Sequence, residues 1–156
     1  MALTRHVPKR LGFGLLIFLT ATSGALAEQA EILVNAATGA VIEARNEEVR
    51  IRPASLTKMM TLYLTFEALG RGTLSWDEQI PVSARAAATV PYKLGPPAGA
   101  TMSVREAVNG IIVISANDAA IALAERLGGT EDKFAAMMTA KARRLTMLLL
   151  PSGYIC

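Results

Sequence analysis

The apolar positions of this chain change period along its length. Glu31 to Asn35 forms a short apolar run that reads as a strand, Ala36 to Gly39 is turn-like, and Ala40 to Ala44 returns as a second strand. Together they predict a β-hairpin. A polar stretch from Arg45 to Arg52 leads to Pro53. From Ser55 the period becomes helical: Met59, Leu62, Tyr63, Phe66 and Leu69 recur at three- and four-residue spacing and predict an amphipathic helix with that stripe buried. Pro53 precedes it, and Gly70 and Gly72 mark its end.

Leu74 to Val82 holds Ser75-Trp76-Asp77-Glu78, a turn or short element, and Tyr92 to Ala100 is rich in Gly and Pro and reads as loop. Val104, Ala107, Val108, Ile111 and Ile112 give a second helical stripe that stops near Ser115-Ala116-Asn117. A third helix is expected from Asp118 to Leu127, ended by Gly128-Gly129. Thr130 is a candidate N-cap for a fourth, with Glu131 and Asp132 in its first turn, where acids suit the helix dipole. Phe134, Met137, Met138 and Leu145 are its expected buried face. The pattern is a hairpin followed by helices. No later segment reads as a strand, although a lone hairpin is not stable in water.

The first 27 residues stand apart from this pattern. Arg5, Lys9 and Arg10 precede an apolar run from Leu11 to Ala21, and Ala25-Leu26-Ala27 supplies the small residues of a cleavage site. The run is short for a membrane span, which needs about 20 apolar residues. Residues 1–27 are therefore expected to be a signal peptide, the alternative being an uncleaved N-terminal anchor, residues 28–147 a single domain, and residues 148–156 an atypical tail. Losing the three bases of the leader takes the formal charge from +3 to zero, so the high pI argues for export and not for nucleic acid. Aromatic residues are sparse and are not interleaved with basic clusters, which excludes a stacking platform.

Two single residues limit the chemistry further. The one histidine, His6, lies in the leader, and the one cysteine, Cys156, is the last residue. The remaining chain cannot build a Ser-His-Asp triad, a Cys-His pair or a His-ligated metal site. No metal or organic cofactor is implied.

Ser55-Leu56-Thr57-Lys58 places a lysine three residues after a serine at a helix start, one turn away on the same face. A serine hydroxyl needs a base, and a desolvated lysine can serve. The competing reading is a helix-capping Ser55 with an exposed Lys58. Ser115-Ala116-Asn117 can aim a hydroxyl and an amide into one cleft, the first relaying a proton and the second orienting substrate or holding the lysine. Alternatively, both residues simply cap the following helix.

The two motifs, in this order and about sixty residues apart, resemble the penicillin-binding proteins and class A β-lactamases, whose signature is S-x-x-K, an S-D-N-type element and K-T-G. Pro53 to Thr61 and Ser115-Ala116-Asn117-Asp118-Ala119-Ala120 resemble the low-molecular-weight D-alanyl-D-alanine carboxypeptidases in particular. Ala37 to Gly39, Phe66 to Leu69 and Ala122 to Glu125 fit the same family, over about Ile32 to Met147. The middle element has Ala116 where many members carry Gly.

The resemblance implies an α/β (α+β) fold of the β-lactamase/transpeptidase type, represented by its helical part and an N-terminal hairpin. It implies an exported bacterial enzyme of the periplasm or cell surface, with Ser55 as nucleophile, Lys58 as proton acceptor, Ser115 in proton transfer and Asn117 in substrate binding. The substrate would be the peptidoglycan stem peptide, and β-lactams would acylate the same serine. Peripheral membrane association of a full-length protein stays open. K-T-G is absent: no Lys follows Lys141. A frameshift, premature stop or incomplete gene between Arg144 and Leu149 is the expectation from that departure. The alternatives are a β-lactamase-like serine hydrolase, a non-catalytic exported module that binds cell-wall peptides, and a misfolded product without function.

Overall fold

The computed structural model describes residues 29–49 and 52–147. The expected leader and tail lie outside the described residues. The chain divides into two units, Met1–Glu47 and Glu48–Cys156.

The first unit contains the hairpin. Strand β1 (Glu31–Val34) pairs antiparallel with β2 (Val41–Arg45), with Glu31 opposite Arg45 and Leu33 opposite Glu43. The register shifts by one between Leu33 and Val34, which leaves Ile42 as the extra residue of a bulge. Asn35 builds the turn: its Oδ1 accepts from the N–H groups of Ala37 (2.9 Å) and Thr38 (3.1 Å). Gly39 takes the left-handed conformation at φ 72°, and its N–H returns to the Asn35 carbonyl. An ion pair of Arg45 with Glu31 (3.1 Å) closes the open end.

The second unit begins with a 3₁₀ turn, Ala54–Leu56, that runs into α1 (Thr57–Gly70). Strand β3 (Gln79–Pro81), the short α2 (Ala84–Ala87) and β4 (Thr101–Ser103) follow. Then come α3 (Val104–Ile114), α4 (Asn117–Gly128) and α5 (Glu131–Arg144). β3 and β4 pair antiparallel with Ile80 opposite Met102. These strands were not expected, because three residues each are too few to show a period. Their ladder is prolonged by bonds from Val82 N–H to the Ala100 carbonyl and from Val104 N–H to the Glu78 carbonyl.

α4 is the hub of this unit. Every residue from Asp118 to Ala124 is buried, and the helix touches α1, α2, α3, α5 and β3. Five of those seven positions are Ala or Asp, small enough for neighbouring helices to approach on all sides. Ile80, Val82, Val104, Val108, Ile121 and Leu123 fill one core region, and Met60, Leu64, Phe134 and Met138 fill another. The helix starts are set by local chemistry. Ser103 and Glu106 form a reciprocal capping box at α3, and Thr130 accepts from Lys133 N–H at α5, as expected of that residue.

The buried faces differ from the periodicity in three places. On α1, Met59 (68% exposed), Tyr63 (41%) and Phe66 (45%) face outward, Leu62 and Leu69 are half-buried, and Lys58, Met60, Thr61, Leu64, Thr65 and Ala68 face in. This helix is apolar nearly all round, so an apolar stripe could be drawn on more than one side. Two of the inward polar groups have partners: Thr65 Oγ1 donates to the Thr61 carbonyl at 2.8 Å, and Lys58 reaches α4. On α3, Val104, Ala107, Val108 and Ile111 are buried as expected, but Ile112 is exposed. On α5, Phe134 and Met138 are buried, whereas Ala142 takes the place expected of Met137 and Leu145.

Candidate active site

Ser55 lies in the 3₁₀ turn, two residues ahead of the first residue of α1, and is exposed. It does not cap the helix: the residue in that position is Leu56, without a side-chain cap bond. Its predecessor Ala54 is held left-handed at φ 47°. Such a conformation costs a residue with a Cβ about 1–2 kcal/mol. Lys58 follows one turn later and is 4% exposed. The structure therefore excludes the helix-capping Ser55 with an exposed Lys58.

The Lys58 Nζ donates to Asn117 Oδ1 at 2.6 Å. Burying an amine without a partner is costly, so this bond makes the position tenable. Asn117 opens α4, and its amide is occupied on both sides. Nδ2 donates to the Pro91 carbonyl at 2.7 Å, and the backbone N–H donates to the Tyr92 carbonyl at 2.8 Å. It is not spent on capping. Ser115, at the end of α3, is half-buried and left-handed (φ 57°, ψ 38°). That reversal, with the Ala116 N–H on the Gly110 carbonyl, turns the chain from α3 into α4 within two residues.

The structure thus brings Lys58 and Asn117 into direct contact. Ser55 and Ser115 flank them in sequence, and among the described residues neither hydroxyl is held by a side-chain hydrogen bond to that pair.

Pattern reading missed the segment around cis-bonded Val90-Pro91 and the residue that binds it. Asp118 is fully buried. Its Oδ1 accepts from the N–H groups of Leu94 (3.0 Å) and Ala119 (2.8 Å), and its Oδ2 from Gly95 N–H (2.9 Å). The available signal was an acid beside Asn117 in a helix start, next to a Gly- and Pro-rich loop that needed donors satisfied. Among the described residues no group of three His, Cys, Asp or Glu converges as a metal site would require.

Comparison with known proteins places this geometry among relatives. A family model described as D-alanyl-D-alanine carboxypeptidase (Peptidase_S11) matches residues 19–148. The chain is 36% identical over 114 residues to the D-alanyl-D-alanine carboxypeptidase DacF of Bacillus subtilis, covering 73% of this chain and 29% of the relative. The crystal structure of the D-alanyl-D-alanine carboxypeptidase DacD from Francisella tularensis superposes with a TM-score of 0.75 at 41% identity, over 80% of this chain and 32% of that one. Penicillin-binding protein D2 from Listeria monocytogenes, in its ampicillin-bound form, superposes with a TM-score of 0.66 at 30% identity, over 78% and 48% of the two chains. The chain therefore spans about a third of the length of the first two relatives. The shared architecture is the mixed helix-and-strand fold of the penicillin-binding proteins.

Proposed function

This chain belongs to the D-alanyl-D-alanine carboxypeptidase family, and on that footing we propose that Ser55 and Lys58 carry serine-type acyl transfer on peptides ending in D-alanyl-D-alanine. The observation that carries the proposal is the burial of Lys58 one turn after Ser55, with its amine held by Asn117.

The Ser55 hydroxyl attacks the carbonyl carbon of the penultimate D-alanine, and its proton passes to the lone pair of unprotonated Lys58. The Ser55 backbone N–H, ahead of the positive end of α1, stabilises the oxyanion. The C–N bond then breaks. The terminal D-alanine leaves as an amine, taking a proton relayed from Lys58 through the Ser115 hydroxyl. Water attacks the acyl-serine ester, giving a proton to Lys58, which passes it to the Ser55 oxygen as the ester C–O bond breaks. Asn117 Oδ1 accepts an N–H from Lys58 and leaves the lone pair for the serine proton. The expected contact of Asn117 with substrate would have to use Nδ2 after it leaves Pro91.

The substrate is the peptidoglycan stem peptide, which places the protein outside the inner membrane of a bacterium, in the periplasm or at the cell surface. β-Lactams acylate Ser55. The ampicillin-bound Listeria relative supports that reading.

Labelling the full chain with a fluorescent penicillin, beside Ser55→Ala, tests it. A covalent band that the substitution abolishes supports the proposal, and release of D-alanine from a D-alanyl-D-alanine peptide separates the carboxypeptidase from a β-lactamase-like hydrolase. A folded chain with no band, yet with measurable binding of the peptide, would establish the non-catalytic module instead.

A further inference from the structure

The segment 90–95 is mostly solvent-exposed, yet its backbone is tied down at four points. The carbonyls of Pro91 and Tyr92 accept from Asn117, and the N–H groups of Leu94 and Gly95 donate to Asp118. The Leu94 side chain sits directly over Gly110, where an added Cβ would lie 2.7 Å from its Cδ1. Tyr92 and Gly95 both take positive φ to meet these anchors. Among the described residues Asp118 accepts hydrogen bonds from backbone N–H groups alone, two of them from this segment and one from its own helix. A carboxylate fully withdrawn from water is costly unless its donors are fixed in place. The loop therefore supplies what makes Asp118 tolerable, and Asp118 supplies what fixes the loop.

The consequence lies one residue away. The Pro91 carbonyl can only accept, so it turns the Nδ2 side of Asn117 towards itself and the Oδ1 side towards Lys58. A free amide could rotate by half a turn. It would then donate N–H to the amine and occupy the lone pair that has to receive the serine proton.

We infer that Asp118 is a positioning residue: by clamping the 91–95 loop it fixes the Asn117 amide in the orientation that leaves Lys58 able to act as a base. This inference rests on the role proposed for Lys58, but its first test does not need turnover. Amide hydrogen exchange and the Asn117 side-chain amide signal are followed by NMR in the full chain, in Asp118→Asn and in Asp118→Ala. The α5 amides of Met138 and Ala142 report the global fold.

In the unsubstituted chain, Leu94 and Gly95 should be protected despite the exposure of their segment. Asp118→Asn keeps Oδ1 but presents a donor to Gly95, so Gly95 should exchange about tenfold faster while Leu94 changes less. Asp118→Ala should release both, and in each variant the Asn117 side-chain signal should shift with α5 unaffected. Unprotected Leu94 and Gly95 in the unsubstituted chain would overturn the inference, whatever the variants do. So would an unmoved Asn117 signal in a folded Asp118→Asn.

The second readout is the rate of penicillin acylation. It should fall in Asp118→Asn by a larger factor than any loss of peptide affinity. If the unsubstituted chain never labels, the role of Lys58 fails while the exchange data still decide the clamp. An unchanged acylation rate in a variant whose loop has been released would sink the positioning role.

Discussion

Lys58 Nζ and Asn117 Oδ1 meet at 2.6 Å although 59 positions separate them in sequence. The contact joins α1 to the start of α4, and with it the two motifs that the sequence presents separately.

Breaking this contact has separable effects on stability and chemistry. Asn117→Ala leaves the buried Lys58 amine without its acceptor, and a buried polar group left unsatisfied costs about 1–3 kcal/mol. A loss of that size is expected in urea unfolding. Asn117→Asp should recover the stability by pairing with the ammonium, but it would hold the proton on Lys58. Penicillin labelling should then slow by about 10²-fold or more, the usual contribution of a positioned acid or base. Labelling as fast in Asn117→Asp as in the unsubstituted chain would argue against Lys58 as the base.

Thr61 offers a gain. Its side chain is fully buried, and its Oγ1 has no hydrogen-bond partner among the described residues. An orphaned buried hydroxyl costs about 1–3 kcal/mol, and an apolar group of the same shape removes that cost. Val keeps the β-branched outline on α1. Thr61→Val should raise stability by about 1 kcal/mol in denaturant titration. A loss of similar size would mean that the hydroxyl is satisfied by ordered water.

How far these features could be read beforehand follows from their range in sequence. Thr130 with Glu131 and Asp132 marked the start of α5 because a cap is a local device. The Asn35 to Gly39 turn located the hairpin for the same reason. Ser55 and Lys58 were legible through helical spacing. Their partner Asn117 was legible only in its type, as an amide able to hold a lysine. The face of α1 was not legible, because Met59, Tyr63 and Phe66 are as apolar as Met60, Leu64 and Ala68, and only packing against α4 and α5 decides between them. Asp118 was passed over because its donors, Leu94 and Gly95, are brought to it by the fold.

Gly128 ends α4 where α5 crosses closely. A Cβ there would lie 2.7 Å from the Phe134 backbone N and 2.9 Å from its Cα, so backbone would have to move. Phe134 is fully buried beside Met60, Leu64 and Met138. Gly128→Ala should therefore approach the effect of removing the ring: Phe134→Ala is expected to cost about 3–5 kcal/mol. The two together should cost less than their sum, since both loosen the same contact. Urea midpoints of the single and double variants check this, and strict additivity would show that the α4–α5 junction relaxes around the added methyl.

Three carboxylates bias stability against acid. The Glu67 carboxyl is held below its ordinary value of 4.5, first by the hydrogen bond from Lys141 of α5; burial opposes this, and the charges of Lys141, Arg71 and Arg144 add to the lowering. Glu78 is lowered first by the hydrogen bond from Arg126. Glu106 is lowered first by the Ser103 backbone N–H and then by its hydroxyl. In each case the unfolded chain takes up the proton at a higher pH than the folded one. Between the two values the unfolded state binds more protons, and stability falls as the pH falls. The contribution is complete above the unfolded value and disappears as the pH drops through the folded one. The Tm should thus be level at neutral pH and decline below about pH 4.5. Glu106→Gln should shallow that decline while costing little at pH 7, because Gln can still complete the capping box. Glu67→Gln should also shallow it, but with a lower Tm at pH 7, because it removes the charge that ties Lys141 to α1. A Tm–pH curve of unchanged slope in both variants would assign the acid limb to other groups and leave the α1–α5 ion pair without influence on folding.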